Sequence, residues 1–68
     1  MKHLSQISHD IFSQFYTGSN GARKVNCILD DNSVRFIVFE NGKKKRVREF
    51  SNCDKAKCLA EAEKALNN

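Results

Sequence analysis

Within 25–29 and within 34–38 every second side chain is apolar, while the positions between them mix polar and apolar residues. Val25, Cys27 and Leu29 interleave with Lys24, Asn26 and Ile28, and Val34, Phe36 and Val38 interleave with Arg35, Ile37 and Phe39. That period is the mark of half-buried strands. Asn41-Gly42 then separates two strand-like runs. A type I′ hairpin turn needs positive φ at both loop positions, which this dipeptide supplies. Upstream, Asp30-Asp31-Asn32-Ser33 is a second turn cluster. The pattern predicts strands over 23–30, 33–40 and 43–50. Outside them the spacing changes to a helical one. Leu4, Ile7, Ile11 and Phe15 recur every three or four residues, with Phe12 beside them, and predict a helix over 4–16. Gly18 and Gly21, with Ser19 and Asn20, close that helix in a loop. Cys58, Leu59, Ala62, Ala65 and Leu66 share one face of a second helix over 52–66, with Ser51 as its N-cap and Asp54 three residues on.

The two turns also imply registers. With Asp31-Asn32 as one loop, Leu29 faces Val34, Ile28 faces Arg35, Cys27 faces Phe36, Asn26 faces Ile37 and Val25 faces Val38. With Asn41-Gly42 as the other, Glu40 faces Lys43, Phe39 faces Lys44, Val38 faces Lys45, Ile37 faces Arg46, Phe36 faces Val47 and Arg35 faces Arg48. One sheet face then collects Val25, Cys27, Leu29, Val34, Phe36, Val38 and Val47, which reads as core. The expectation is a single α+β domain over 1–68, in α-β-β-β-α order. It is a three-stranded antiparallel meander with the second strand central and both helices packed on one face.

The other face carries the chemistry. It collects Lys24, Asn26, Ile28, Arg35, Ile37, Phe39, Lys44, Arg46 and Arg48, five cations with no carboxylate. Residues 33–48 hold six Lys or Arg against one Glu, while the whole chain of 68 residues has a net charge of only +4. A solvated face mixes signs, and unrelieved like charges on neighbouring strands repel. A polyanion relieves them through phosphate neutralisation and counterion release. The sequence therefore points to nucleic acid, duplex DNA ahead of RNA. Arg35, Arg46 and Arg48 would make the central contacts, Lys24, Lys43, Lys44 and Lys45 would hold phosphates, and Ile37 and Phe39 would touch bases or thymine methyls.

Other classes of function find no footing. No Ser-His-Asp arrangement, Gly-rich phosphate loop or paired carboxylates suggests an enzyme, so no catalytic residue and no cofactor is expected. Cys27, Cys53 and Cys58 lack a metal-ligand or disulfide spacing, and His3 and His9 read as solvated helix-surface residues. Free thiols, no apolar run long enough to span a membrane and no signal-like N-terminus predict a reduced, cytoplasmic protein.

The run from Ser33 to Leu66 reads strand, Asn-Gly turn, basic strand, Phe50-Ser51, then an Ala-rich helix. In this layout it resembles the three-stranded-sheet DNA-binding domains of phage integrase arms and plant ethylene-response factors. That resemblance implies a sheet lying in the major groove, with Arg35, Ile37 or Phe39, Lys44, Arg46 and Arg48 as its contacts. The α-β-β-β-α order and the close of the last helix, Ala62-Glu63-Lys64-Ala65-Leu66, are also similar to the double-stranded-RNA-binding domain. An alternative is a small interaction or inhibitor protein, of the kind a phage or mobile element makes. It would set the same cationic face, with the Ile28, Ile37 and Phe39 strip, against an acidic protein partner.

Overall fold

In a computed structural model of the chain, which describes residues 1–9 and 13–68 (His9 by its backbone alone), five consecutive strands form one antiparallel sheet. They are β1 (Ser5–His9), β2 (Ser13–Asn20), β3 (Arg23–Asp30), β4 (Val34–Glu40) and β5 (Lys43–Phe50), paired in chain order. A single 3₁₀ turn (Asn52–Asp54) leads into one helix, α1 (Lys55–Asn67). The three-stranded meander with two helices is thus corrected to five strands and one helix. The span of the predicted helix, 4–16, instead holds β1 and the first half of β2. Ile11 and Phe12 of its apolar stripe lie outside the described residues. The extra hairpin also moves the centre of the sheet from β4 to β3.

Local chemistry accounts for the strands at the N-terminus. Residues 5–20 contain no Ala, Leu, Glu, Lys or Arg, the residues that favour helix, but several Ser and Thr with Ile, Phe and Tyr. The loop after β2 is only Gly21-Ala22. Gly21 has φ +65°, as the first loop position of a type II′ turn requires. At the next hairpin Asn41 and Gly42 both adopt positive φ, 54° and 80°, which is the type I′ pattern. Between β3 and β4 the Asp30 carboxylate accepts from the backbone N–H groups of Asn32 and Ser33, so the acidic cluster is an Asx turn.

The β3–β4 register is the one the turn implies, Leu29 opposite Val34 through Val25 opposite Val38. The β4–β5 register agrees only for its first two pairs. Beyond Phe39–Lys44 a bulge inserts Lys45 into β5, and Val38 faces Arg46, Ile37 faces Val47, Phe36 faces Arg48 and Arg35 faces Glu49. One extra residue reverses the facing of everything after it. Val47, expected in the core, lies on the outer face and is 39% exposed. Phe50 takes its place, packed against the core and stacked on Phe36 with ring centroids 6.1 Å apart.

Among the described residues, α1 is the one helix, and it covers one face of the sheet. Cys58, Ala62, Ala65 and Leu66 recur at one helical face and bury against Val25, Cys27, Leu29, Val34, Phe36 and Val38. Leu4, Tyr16, Phe50 and Leu59 fill the margins. Small side chains bring the helix close to the sheet. A Cβ on Gly18 would lie 2.7 Å from Leu66 Cδ2, 3.0 Å from Leu4 Cδ2 and 3.2 Å from the His3 carbonyl oxygen. The N-terminal segment zips onto the same helix, since Asn67 accepts from the Lys2 N–H at 2.9 Å and donates to its carbonyl at 2.8 Å. His3 Nδ1 sits 3.1 Å from Glu63, so His3 meets α1 rather than riding on a helix of its own. Ser51 precedes the 3₁₀ turn and Asp54 precedes α1. The Ser51 hydroxyl donates to the Asp54 carboxylate instead of accepting a backbone N–H.

Arg23 fastens the end of the helix to the sheet. It donates to Glu40 at 2.8 and 3.1 Å, to the Ala65 carbonyl at 2.9 Å and to the Asn68 carbonyl. A cation there satisfies carbonyls that the last turn leaves unpaired and complements the negative helix end.

Two thiols belong to this core. Cys27 and Cys58 are buried with their sulfurs 3.9 Å apart, while Cys53 is exposed. Burial, reinforced by Cys58, pushes the Cys27 thiol from 9.0 up to about 12, and burial also raises Cys58. Since the thiolate is the reactive form, a folded chain treated with iodoacetamide near neutral pH is expected to take one label, at Cys53, and three in denaturant. Labelling of Cys27 as fast as Cys53 in the folded protein would contradict this packing. Since the unfolded chain gives up the Cys27 proton near pH 9.0 and the folded one keeps it to about 12, stability is unaffected by Cys27 below pH 9.0 and falls as pH climbs from there toward 12.

Candidate nucleic-acid interface

The sheet face away from α1 is built from three cross-strand rows. The first runs Phe15, Ile28, Arg35, Glu49; the second Thr17, Asn26, Ile37, Val47; the third Ser19, Lys24, Phe39, Lys44. Antiparallel pairing puts the members of each row side by side on one face. Of the residues predicted to bind, Lys24, Arg35, Ile37, Phe39 and Lys44 do gather here. Arg46 and Arg48 do not. The bulge turns them to the helix side, where Arg48 lies 5.0 Å over the Phe50 ring and 3.9 Å from Glu61. The outer face therefore carries three cations rather than five, and Glu49 joins it.

The cations are concentrated instead on one strand. β5 is an edge strand, and Lys43, Lys44, Lys45, Arg46 and Arg48 are all exposed along its eight residues. Its length is about 25 Å at the usual rise per residue. The five positions divide between the faces: Lys44 to the outer one, Arg46 and Arg48 to the helix side, Lys43 beside the turn and Lys45 at the bulge. Lys45 is 3.0 Å from Glu40, and hydrogen bonds from Lys45 and then Arg23 hold the Glu40 carboxyl below its ordinary range. Lys43, Lys44 and Arg46 make no ion pair among the described residues.

Two features of this surface were absent from the sequence reading. One is Arg23, whose role as a clamp depends on α1 ending beside Glu40. The other is the hollow beside the third row, where Ser19 of β2, expected in a loop, joins Lys24, Asn26 and Phe39 between the turns at Gly21 and Gly42. There Asn26 accepts from the Thr17 hydroxyl at 2.9 Å, which leaves its amide hydrogens free to donate outward. Among the described residues no group of His, Cys, Asp and Glu is arranged to hold a metal ion, and no helix is long and apolar enough to cross a membrane. No protein-family model matches the chain, and neither the curated proteins nor the solved structures hold a match to it.

Proposed function

We propose that this is a nucleic-acid-binding protein that engages a duplex through the β4–β5 hairpin and the cationic edge strand β5. The observation that carries the reading is the distribution of charge on β5. Five exposed cations occupy one edge, and the bulge at Lys45 spreads them over both faces of the ribbon. A ribbon entering a major groove about 12 Å wide has a phosphate backbone on either side of it, and cations on both faces suit that setting. Arg46 and Arg48 would serve one backbone, Lys44 with Lys24 the other, and Lys43 the leading turn. Lysines and a bulge also keep an exposed edge from pairing with another sheet. That role would place no demand on polyanions, so the two accounts separate by experiment.

The test is fluorescence anisotropy of labelled duplex DNA, duplex RNA and single strand at several salt concentrations. The expected result is tightest binding to a duplex, weakening linearly in log salt by about 0.9 per phosphate contacted. Lys43→Glu combined with Arg46→Glu changes two exposed side chains that hold no ion pair among the described residues. It is expected to weaken binding by about tenfold or more and to lower the salt slope by roughly 2. Lys57→Glu combined with Lys64→Glu, two exposed changes on α1 with the same total change in charge, is the control, and Lys57→Glu alone is its milder form. Absence of binding to every probe at low salt would overturn the reading in favour of an acidic protein surface. So would a loss in the Lys57→Glu, Lys64→Glu control equal to that of the β5 double variant.

A further inference from the structure

The outer face is the part of this molecule whose surroundings are incomplete. Opposite the face covered by α1, Phe15, Ile28, Ile37 and Phe39 are half-buried and Val47 is 39% exposed. Ile7, at the bulge in β1, is 64% exposed and borders a hollow shared with Phe15, Thr17 and Ile28. Two charges in the first row are also unspent. Arg35 and Glu49 are cross-strand neighbours, yet neither enters an ion pair among the described residues. Arg35 Nε is buried without a hydrogen-bond partner. Apolar area beside unsatisfied charge points to an occupant with both characters.

We propose that the occupant is a second copy of this chain, packed sheet to sheet about a two-fold axis that lies across the strands. Such an axis keeps each strand over its own counterpart and exchanges the two ends. The first and third rows then face one another, and the second row faces itself. Arg35 comes over Phe39 of the partner copy, a guanidinium over a ring. Glu49 comes over Lys44, an acid over a base. Ile28 meets the aliphatic stem of Lys24. Ile37 and Val47 meet their own equivalents near the axis and form the apolar centre. An axis running along the strands would instead set the Lys24 and Lys44 row against itself. The row charges therefore select one symmetric arrangement out of two.

The size is adequate. Four strands of seven to eight residues, β2 to β5, present a face of about 500 Å². Two such faces bury about 1,000 Å², the lower bound for a specific interface. Aligned sheets pack about 10 Å apart with their strands turned by about 30°, which preserves the row correspondence near the axis. Arg46 and Arg48, on the helix side, stay outside this interface. Lys24 and Lys44 lie inside it, so a dimer and a duplex compete for these two cations, and the dimer is tested with no nucleic acid present so that its failure and that of the nucleic-acid reading are told apart.

Sedimentation equilibrium on the full chain tests it. The wild type at about 100 μM is expected to show twice the mass of one chain, with a dissociation constant in the micromolar range for an interface of this size. Glu49→Lys is expected to weaken association at least tenfold, and adding Lys44→Glu to restore it, because the swap re-forms the pair across the axis. Ile37→Glu sets two carboxylates near the axis and is expected to leave a monomer with an unchanged far-ultraviolet circular dichroism spectrum. If Ile37→Glu unfolds, the charge swap still decides, since both residues are exposed. A wild type with the mass of one chain overturns the proposal. So does a Glu49→Lys variant that associates like wild type, or a double variant that stays as weak as the single one.

Discussion

Phe36→Ala is expected to remove most of the stability of the fold, a loss of about 3 to 5 kcal/mol. A domain of this size carries only about 3 to 10 kcal/mol in total, from roughly 0.05 to 0.15 kcal/mol per residue. Phe36 is 1% exposed and sits mid-strand in β4, in a core whose helix side includes the small side chains of Cys58, Ala62 and Ala65. Those neighbours are small and cannot lean in to close the hole. The variant also removes the ring on which Phe50 stacks, worth about 0.5 to 1.5 kcal/mol beyond area burial. Phe50 in turn carries the guanidinium of Arg48, so the last residues of β5 loosen with it. Urea denaturation followed by circular dichroism reads the result. The midpoint should fall by about 3 to 5 M, given a slope near 1 kcal/mol per molar urea for so small a protein. Phe36→Leu, which keeps most of the volume, should cost about 1.5 kcal/mol or less. Equal losses from the two variants would show that packing at this position is not what the structure depicts.

The second large effect is a coupled one. Leu66→Ala is expected to cost about 2 to 5 kcal/mol, since the side chain is fully buried where α1 closes on β2. Gly18→Ala is expected to cost about 1 to 3 kcal/mol for the opposite reason, an added methyl that meets Leu66 at 2.7 Å. The backbone does not forbid alanine there, because Gly18 is absent from the positive-φ residues. In the double variant the cavity left by one change receives the methyl of the other. The combined loss should be smaller than the separate losses together by about 1 to 2 kcal/mol. Relief is incomplete, as Leu4 Cδ2 at 3.0 Å and the His3 carbonyl at 3.2 Å still crowd the new carbon. Additivity to within about 0.5 kcal/mol would mean that the two residues do not share this space.

Gly18 also shows where the sequence could mislead. Read as part of a loop, it appeared to end a helix, and the spacing of Leu4, Ile7, Ile11 and Phe15 supported that reading. Composition spoke against it, since Gln6 and Gln14 are the only strong helix formers in residues 5–20. A four-residue periodicity over so short a span is weaker evidence than the absence of Ala, Leu, Glu, Lys and Arg. By contrast, the β3–β4 pairing and both positive-φ positions at Asn41-Gly42 were legible, because turn chemistry is local and set by the residues themselves.

The candidate site was legible in composition but not in geometry. The cations of β5 were evident as a charged run, but their facing was counted outward from the turn. The bulge at Lys45 breaks that count. Counting back from Phe50 would have served better. Phe50 is the largest apolar residue of the strand and the one with most to gain from the core, and its parity puts Arg46 and Arg48 on the helix side and Val47 outside. Bulges have no dedicated residue type here, and Lys45 looks like its neighbours. Only the competition between Val47 and Phe50 for one core position records it.

The unbroken order of the strands bears on how the chain finds its structure. Each strand pairs with its neighbour in sequence, and the turns after β2, β3 and β4 span only a few residues. Loop closure at each of these steps is entropically inexpensive, and one formed hairpin offers an edge on which the next can zip. The helix is the exception. Asn20 donates to the Leu66 carbonyl across 46 positions, and Arg23 reaches Ala65 across 42. The contact order of the molecule is therefore divided, low within the sheet and high at the seam with α1. A sheet that assembles early would wait with its apolar face open until the last residues of the chain arrive to cover it.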